Sequence, residues 1–199
     1  MDVVGLIDRL GSAARVETYE TDTIIFCRGD ATHHMFGVLA GEACLRRDSV
    51  EGTDMMIHRA RVGEFFAEAA LFSDAYHCDG EAVSGSRIAW LPKNALRKLI
   101  REDGIFAMAF CQRLASQVQR LRSNIELRSI RAAEDRVMAA LSLRVSTGQR
   151  HLDLDGTWKS FAQDIGLTHE ALYRALRRLQ DGGRLVRDGK SVRLGREVP

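Results

Sequence analysis

The chain has 199 residues, of which 45% are hydrophobic and 28% are charged, with only two prolines. This composition is typical of a folded protein, and the length is sufficient for two small domains. No run of eighteen apolar residues occurs, and the N-terminus lacks a basic segment followed by an apolar core. The sequence therefore predicts neither a membrane helix nor a signal peptide, and we expect a cytoplasmic protein.

The four cysteines, Cys27, Cys44, Cys78 and Cys111, are widely spaced and form no C-x-x-C pair. This pattern predicts neither a disulfide framework nor a cysteine-only metal site.

Positive charge is concentrated in the second half of the chain. Residues 1–111 contain 12 lysines and arginines against 17 acidic residues, a net charge of −5, whereas residues 112–199 contain 17 against 10, a net charge of +7. A basic region is where a polyanion binds, so a nucleic-acid contact is expected in the C-terminal half.

Short apolar runs from about Val16 to Leu91 predict β-strands. Examples are the segments 23–27, 36–39 and 87–91, and glycine-containing turn signals separate such runs at the spacing of a β-sandwich or barrel. Residues 66–72 are rich in alanine and leucine and predict a short helix between two strands. We expect an antiparallel β-roll with a short helical interruption.

A long helix is predicted from about Gly104 to Arg128. Its apolar residues have spacings of four, four, four, three and four, which places them on one face: Phe106, Phe110, Leu114, Val118, Leu121 and Ile125. The opposite face is rich in arginine, so the apolar face needs a partner, and a second copy of the helix is the simplest one. We predict a homodimer interface at Phe110, Leu114, Val118, Leu121 and Ile125. Packing against the chain's own domain is the alternative.

Residues 158–179 predict a helix-turn-helix. Ala162 is a small residue where the two helices would touch, and Gly166 permits the turn between them. Apolar residues suited to holding the helices together are Phe161, Ile165, Leu167 and Leu172. Thr168 is placed to cap the second helix, so that its N-terminal half would enter the major groove of DNA.

The candidates for reading base edges are His169, Glu170, Tyr173 and Arg174. Arg174 suits the paired acceptors of guanine and Glu170 suits the amino group of cytosine, each contact contributing about 1–3 kcal/mol of discrimination. The same two residues are also spaced for an ordinary i,i+4 ion pair, which is the alternative.

Residues 185–194 predict a wing, because they alternate in hydrophobicity around the turn Asp188-Gly189. Basic and hydroxyl side chains of both motifs are predicted to contact phosphates: Ser160, Thr168, Arg177, Arg178, Arg184, Lys190 and Arg193. The expected partner is double-stranded DNA, with a palindromic operator if the protein is a dimer.

The order of these elements resembles the Crp/Fnr family of bacterial transcription regulators. Residues 63–72 resemble the family's cassette for the phosphate of a cyclic nucleotide, and residues 166–170 with Arg174 resemble the start of its recognition helix. The resemblance implies an α+β fold with a jelly-roll-like antiparallel β-roll sensor at 1–103, a long dimerisation helix at 104–129 and a winged helix-turn-helix domain at 130–199. It also implies a homodimer that works with RNA polymerase and is not an enzyme.

The predicted effector pocket departs from that of the cyclic-AMP-binding members. Those members present Gly-Glu and then Arg-Ser, whereas here Ala67 replaces the glycine and His77-Cys78 stand about where Arg-Ser would be. A cyclic phosphate is thus expected to meet no permanent cation, and cyclic AMP is not the predicted effector. The candidate pocket residues are Glu68, Ala69, His77, Cys78, Leu121 and Arg122. The effector and any cofactor stay unidentified.

Two other interpretations stay open. The group His77, Cys78 and Asp79 suits a haem-, metal- or redox-responsive regulator. A cyclic-nucleotide-binding-like module without DNA reading would explain the β-roll but not the winged motif. A jelly-roll enzyme would need H-x-H spacing with later acidic and histidine ligands, which the chain lacks, so catalysis is not predicted, and no residue is assigned as a metal ligand.

Overall fold

The computed structural model describes residues 2–48, 54–146 and 149–195. The chain divides into two compact units, Met1–Arg113 and Leu114–Pro199, and the division falls inside one long helix. Each unit has a hydrophobic core of its own.

The first unit is mainly β-structure flanked by helices. In chain order its elements are α1 (Val3–Leu10), β1 (Arg15–Tyr19), β2 (Thr23–Phe26), β3 (His34–Ala40), β4 (Ala43–Asp48), β5 (Asp54–Ala60), β6 (Phe65–Phe66), a 3₁₀ helix (Glu68–Leu71), β7 (Asp79–Ala82), β8 (Ser86–Pro92), α2 (Lys93–Glu102) and the beginning of α3 (Gly104–Ser129).

Two antiparallel sheets form the β-roll, with strand orders β1-β8-β3-β6 and β2-β7-β4-β5. The two-residue period of a strand is visible in β7, where Gly80 and Ala82 are buried and Asp79 and Glu81 are not. The predicted antiparallel roll and its short helical interruption are both confirmed.

Helices α1 and α2, of eight and ten residues, were not among the sequence predictions. Asp2 caps α1 by accepting a hydrogen bond from the backbone N–H of Gly5 at 2.7 Å. Val3 lies directly on Gly37 of β3, where a Cβ would come within 2.6 Å of Val3 Cγ1. The glycine therefore permits the close helix–sheet contact.

The second unit contains the rest of α3, then α4 (Ala133–Ser142), β9 (His151–Asp153), α5 (Trp158–Asp164), α6 (His169–Asp181), β10 (Leu185–Asp188) and β11 (Ser191–Leu194). Its strands form one antiparallel sheet in the order β10-β11-β9. The core includes Leu127 from the last turns of α3 together with residues of α4, α5 and α6. The end of α3 is therefore built into this unit.

Local sequence signals set the ends of α5 and α6. The Thr157 side chain accepts a hydrogen bond from Ser160 N at 3.0 Å, and Ser160 reciprocates in a capping box. Gly166 has a φ of +67°, which a glycine adopts without strain, and it turns the chain between the helices. Thr168 then caps α6, as predicted.

Candidate nucleic-acid interface and effector region

Helix α6 has one buried face and one exposed face. Leu172, Ala175, Leu176 and Leu179 are each at most 3% exposed and pack in the core of the second unit. Thr168 Oγ1 accepts a hydrogen bond from Ala171 N at 3.1 Å, so the first turn of the helix is fixed. The remaining side chains of its N-terminal half are thereby directed to solvent.

All four predicted base-reading residues lie on that exposed surface. The rings of His169 and Tyr173 contact one another with centroids 4.5 Å apart. Glu170 and Arg174 form no ion pair with each other in the described part of the chain, so the alternative of a simple i,i+4 pair is absent from this structure. Both side chains are exposed beside the ring pair.

The predicted wing is confirmed, and it is attached to both helices of the motif. Strands β10 and β11 pair across the turn that contains Gly189 and Lys190. Trp158 Nε1 donates a hydrogen bond to Gly189 O at 2.9 Å. The guanidinium of Arg187 lies 5.3 Å from the Trp158 ring and 5.2 Å from the Tyr173 ring, a cation–π contact with each. Sequence reasoning missed Arg187, because only the folded hairpin brings it to α6.

Among the predicted phosphate contacts, Thr168, Arg177, Lys190 and Arg193 are exposed. Arg178 and Arg184 are exposed as well, but they pair with acids of α4. Arg178 Nη1 lies 3.1 Å from Glu134 Oε1, and Arg184 Nη1 lies 3.3 Å from Asp135 Oδ1. Exposed ion pairs of this kind contribute little to stability, so either arginine can exchange its partner.

The prediction for Ser160 is wrong. Its side chain is buried, with 6% of the residue exposed, and its hydroxyl donates to Thr157 O at 2.8 Å. The same oxygen accepts from Thr157 N at 3.1 Å. The hydroxyl is therefore committed to the cap of α5 and does not reach a phosphate.

The apolar stripe of α3 is buried at its N-terminal end and exposed toward its C-terminal end. Phe110 is only 4% exposed within the single chain, which corrects its assignment to a dimer interface, since almost no surface is left for a second copy. Val118, Leu121 and Ile125 are 44%, 47% and 69% exposed, and Leu114 is half-buried. The C-terminal part of the stripe therefore presents apolar surface to solvent.

Four of the predicted effector residues lie in or after the cassette of the first unit. Glu68 is half-buried at the start of the 3₁₀ helix, and Ala69 beside it is exposed. His77 is exposed, whereas Cys78 is half-buried and its burial raises the pKa of the thiol. A neutral thiol is a weak nucleophile and metal ligand. Leu121 and Arg122 belong to the second unit, where both are exposed.

A cation lies beside the backbone of His77. Arg47 of β4 donates to the backbone carbonyl of His77 from Nε at 3.1 Å and from Nη2 at 2.8 Å. Asp79 is also engaged, since its Oδ1 accepts a hydrogen bond from Arg28 N at 2.7 Å. Strand pairing that the sequence does not reveal brings Arg47 to this place.

Stacked aromatic rings occupy the interior of the β-roll next to the cassette. Tyr76, which follows the 3₁₀ helix, stacks on Phe26 with ring centroids 4.0 Å apart. Phe26 stacks on Phe36 at 5.0 Å, and Phe36 stacks on Phe66 at 5.2 Å. Tyr76 Oη also donates to His34 O at 2.8 Å, so the segment just after the cassette is fixed to strand β3 of the roll.

Small residues make room for these rings. A Cβ on Gly80 would come within 2.3 Å of the Phe26 ring, so Phe26 lies flat against β7. Ala67 is in the left-handed region with φ 58°, and the residue is only 9% exposed. Within the described ranges, no group of three or more His, Cys, Asp or Glu side chains is arranged to hold a metal ion.

Comparisons with known proteins agree with this architecture. The family model described as a cyclic nucleotide-binding domain matches residues 16–103. The cAMP-activated global transcriptional regulator CRP of Pasteurella multocida (strain Pm70) is 22% identical over 188 residues, which cover 91% of this chain and 90% of that protein. Residues 16–103 thus match a cyclic nucleotide-binding domain, and the chain is similar to a Crp/Fnr-type transcription regulator over most of its length.

Solved structures of Crp/Fnr regulators share its fold. FixK2 from Bradyrhizobium japonicum has a TM-score of 0.69 at 20% identity, covering 91% of this chain and 92% of its own. The c-di-GMP responsive global regulator CLP of Xanthomonas campestris has a TM-score of 0.69 at 20% identity, covering 96% and 99%. CprK in its OCPA complex reaches a TM-score of 0.76 at 13% identity, covering 94% and 90%. These Crp/Fnr relatives are regulators rather than enzymes.

Among the described residues, no helix has both the length and the apolar character needed to cross a membrane.

Proposed function

We propose that this chain is a homodimeric, sequence-specific DNA-binding regulator of the Crp/Fnr type whose β-roll does not respond to cyclic AMP. The observation that carries the proposal is the N-terminal half of α6. It begins at a side-chain cap, buries one face in the core and presents His169, Glu170, Tyr173 and Arg174 to solvent. A helix of this kind, preceded by a turn and followed by a wing, suits the major groove.

The exposed face of α6 suits base reading because part of it is fixed before DNA binds. Tyr173 is held between His169 and Arg187, at 4.5 Å and 5.2 Å, so its ordering costs little on binding. Arg174 offers a bidentate contact to guanine, and Glu170 accepts from the amino group of cytosine. Thr168, Arg177, Lys190 and Arg193 suit neighbouring phosphates, which set the register of the helix on the duplex.

The exposed stripe of Val118, Leu121 and Ile125 supports a dimer through α3. These side chains follow at spacings of three and four residues, so they lie on one helix face. A second copy of the helix would cover the stripe with an identical one, as in a two-fold symmetric dimer. Two copies of α6 would then read a palindromic site whose half-sites are about 34 Å apart. A regulator that binds bacterial DNA would act in the cytoplasm, and RNA polymerase is the expected further partner.

The interior of the β-roll argues against cyclic AMP. The Tyr76 ring, which lies just after the cassette in the chain, stacks on Phe26 at 4.0 Å, and both residues are at most 7% exposed. A purine that entered the roll at these rings would have to displace the packed cluster and replace its contacts. Where the cyclic-AMP-binding members have arginine and serine, His77 is exposed and burial raises the pKa of the Cys78 thiol. Arg47 is nearby, but the His77 carbonyl occupies two of its donor nitrogens.

Selection of random duplex DNA on the purified protein, with and without cyclic AMP, tests the proposal. We expect a palindromic motif that is the same in both conditions. Arg174→Ala and Glu170→Ala should each lose information at one position per half-site, because each side chain reads one base. Arg101→Ala, an exposed arginine in α2, is the matched control and should select the wild-type motif. Absence of any enriched motif would contradict DNA reading, and a motif that appears only with cyclic AMP would contradict the effector part.

The dimer is tested separately by size. Val118→Asp combined with Ile125→Asp places charge in the exposed stripe, and we expect the protein to elute as a monomer from a sizing column and to bind the palindrome weakly. Met108→Asp is the control, since Met108 is 61% exposed on a different face of α3. An unchanged elution volume for the double variant would exclude this stripe as the interface.

A further inference from the structure

Arg136 binds two parts of the second unit at once. From α4 it donates to the first carbonyl after α3, with Nε at 2.9 Å and Nη2 at 2.7 Å from Ile130 O. Nη2 also lies 3.2 Å from Arg128 O. The other side of the guanidinium, Nη1, donates to Ile165 O at 3.3 Å and to Gly166 O at 3.1 Å. These last two carbonyls belong to the turn of the helix-turn-helix.

The chemistry of these contacts is specific to arginine. The last carbonyls of a helix have no partner inside the helix, so a cation with several N–H groups satisfies them. The planar guanidinium carries its donors in a fixed fork, which allows one side to face α3 and the other to face the turn. A lysine has one nitrogen and cannot bridge the two groups in the same way.

The same two segments also touch directly. The side chain of Arg128, in the last turn of α3, lies against Gly166, since a Cβ there would be 3.4 Å from Arg128 Cγ. Thr168, which caps α6, is only two residues after Gly166. Any displacement of the end of α3 is therefore opposed at the turn from which α6 begins.

We propose that Arg136 is a positioning residue for DNA reading, which holds the start of α6 at a fixed place relative to the end of α3. This inference rests on the proposed function, because the position matters when two copies of α3 pair and two copies of α6 must match two half-sites. Arg136 itself contacts no base. It sets how strictly the protein requires one spacing between the half-sites.

The test compares full-length Arg136→Met and Arg136→Lys with Arg131→Met, an exposed arginine near the start of the same helix. The probes are the palindrome selected above, the same palindrome with one base pair inserted between half-sites, and a single half-site. For Arg136→Met we expect affinity for the palindrome to fall by about tenfold, the half-site affinity to change little and the preference for the original spacing to disappear. Arg136→Lys should be intermediate. Arg131→Met should keep the wild-type spacing preference.

A purely structural role predicts a different result. Arg136→Met would then lose palindrome and half-site affinity together while keeping its spacing preference, and this outcome would overturn the proposal. Amide hydrogen exchange supplies a readout without DNA, since the amides of residues 166–169 should exchange faster in Arg136→Met while those of the β-roll do not change. If the wild-type chain selects no DNA, the proposed function fails, and unchanged exchange in that turn would independently refute the positioning role.

Discussion

The cap of α6 is a single exposed hydrogen bond, so the effect of its removal can be worked out. In Thr168→Ala the N–H of Ala171 loses its 3.1 Å acceptor, while Leu172 N still donates to the backbone carbonyl of residue 168 at 3.0 Å. Loss of such a cap costs about 1 kcal/mol of unfolding free energy. For a unit of fewer than about 100 residues, this lowers the melting temperature by about 4–8 °C. Thr168→Ser keeps the oxygen and should stay near the wild-type value.

The two tryptophans allow each unit to be followed separately. Trp90 lies in the first unit and Trp158, which is 8% exposed, in the second. In a Trp90→Phe background, Trp158 fluorescence reports unfolding of the second unit alone. Thr18→Ala, an exposed threonine of β1, is the control and should leave this transition unchanged. A melting temperature of Thr168→Ala within about 1 °C of the wild type, or equal losses in the Ala and Ser variants, would refute the reasoning.

Three further predictions concern the β-roll. Gly80→Ala places a Cβ 2.3 Å from the Phe26 ring and should destabilise the roll by about 1–3 kcal/mol in thermal unfolding, whereas Gly85→Ala, with open space around it, should not. Burial lowers the pKa of His34 below its usual 6.5, so the unfolded state binds the proton more readily, and the stability of the roll should decrease as the pH falls below about 6.5. The denaturation midpoint of His34→Gln should depend less on pH in that range than that of the wild type. An equal dependence in the two proteins would contradict this prediction. Burial raises the pKa of Cys78, so mass spectrometry should detect slower alkylation at Cys78 than at exposed Cys111, and equal rates would count against it.

The helix-turn-helix was predictable because its signals are local. The turn glycine, the cap and the buried positions lie within about two helices of sequence, so Gly166, Thr168 and Leu172 could be assigned from spacing alone. The error at Ser160 has the same origin. Thr157 and Ser160 are three residues apart before an apolar run, which is the spacing of a capping box, and that signal was available in the sequence.

Long-range contacts were not predictable in this way. Arg47 reaches the His77 carbonyl through the pairing of β4 with β7, and Arg136 reaches Ile165 and Gly166 through the packing of α4 on the motif. Such partners depend on which strands and helices become neighbours, and a single sequence does not specify this. Burial of Phe110 was missed for a related reason, because an apolar helix stripe does not reveal where an intramolecular contact ends and an exposed surface begins.

The backbone conformation at Ala67 affects which amino-acid substitutions this position can accept during evolution. With φ 58° and ψ 36°, the residue holds a conformation that costs about 1–2 kcal/mol for any amino acid with a Cβ. One base change converts an alanine codon into a glycine codon and removes that strain, but it also removes a methyl group packed among the buried residues of the roll. The two effects are of similar size and opposite sign. Alanine and glycine can therefore replace one another here by drift, with little effect on folding, so the identity of this residue is a poor record of what the roll binds.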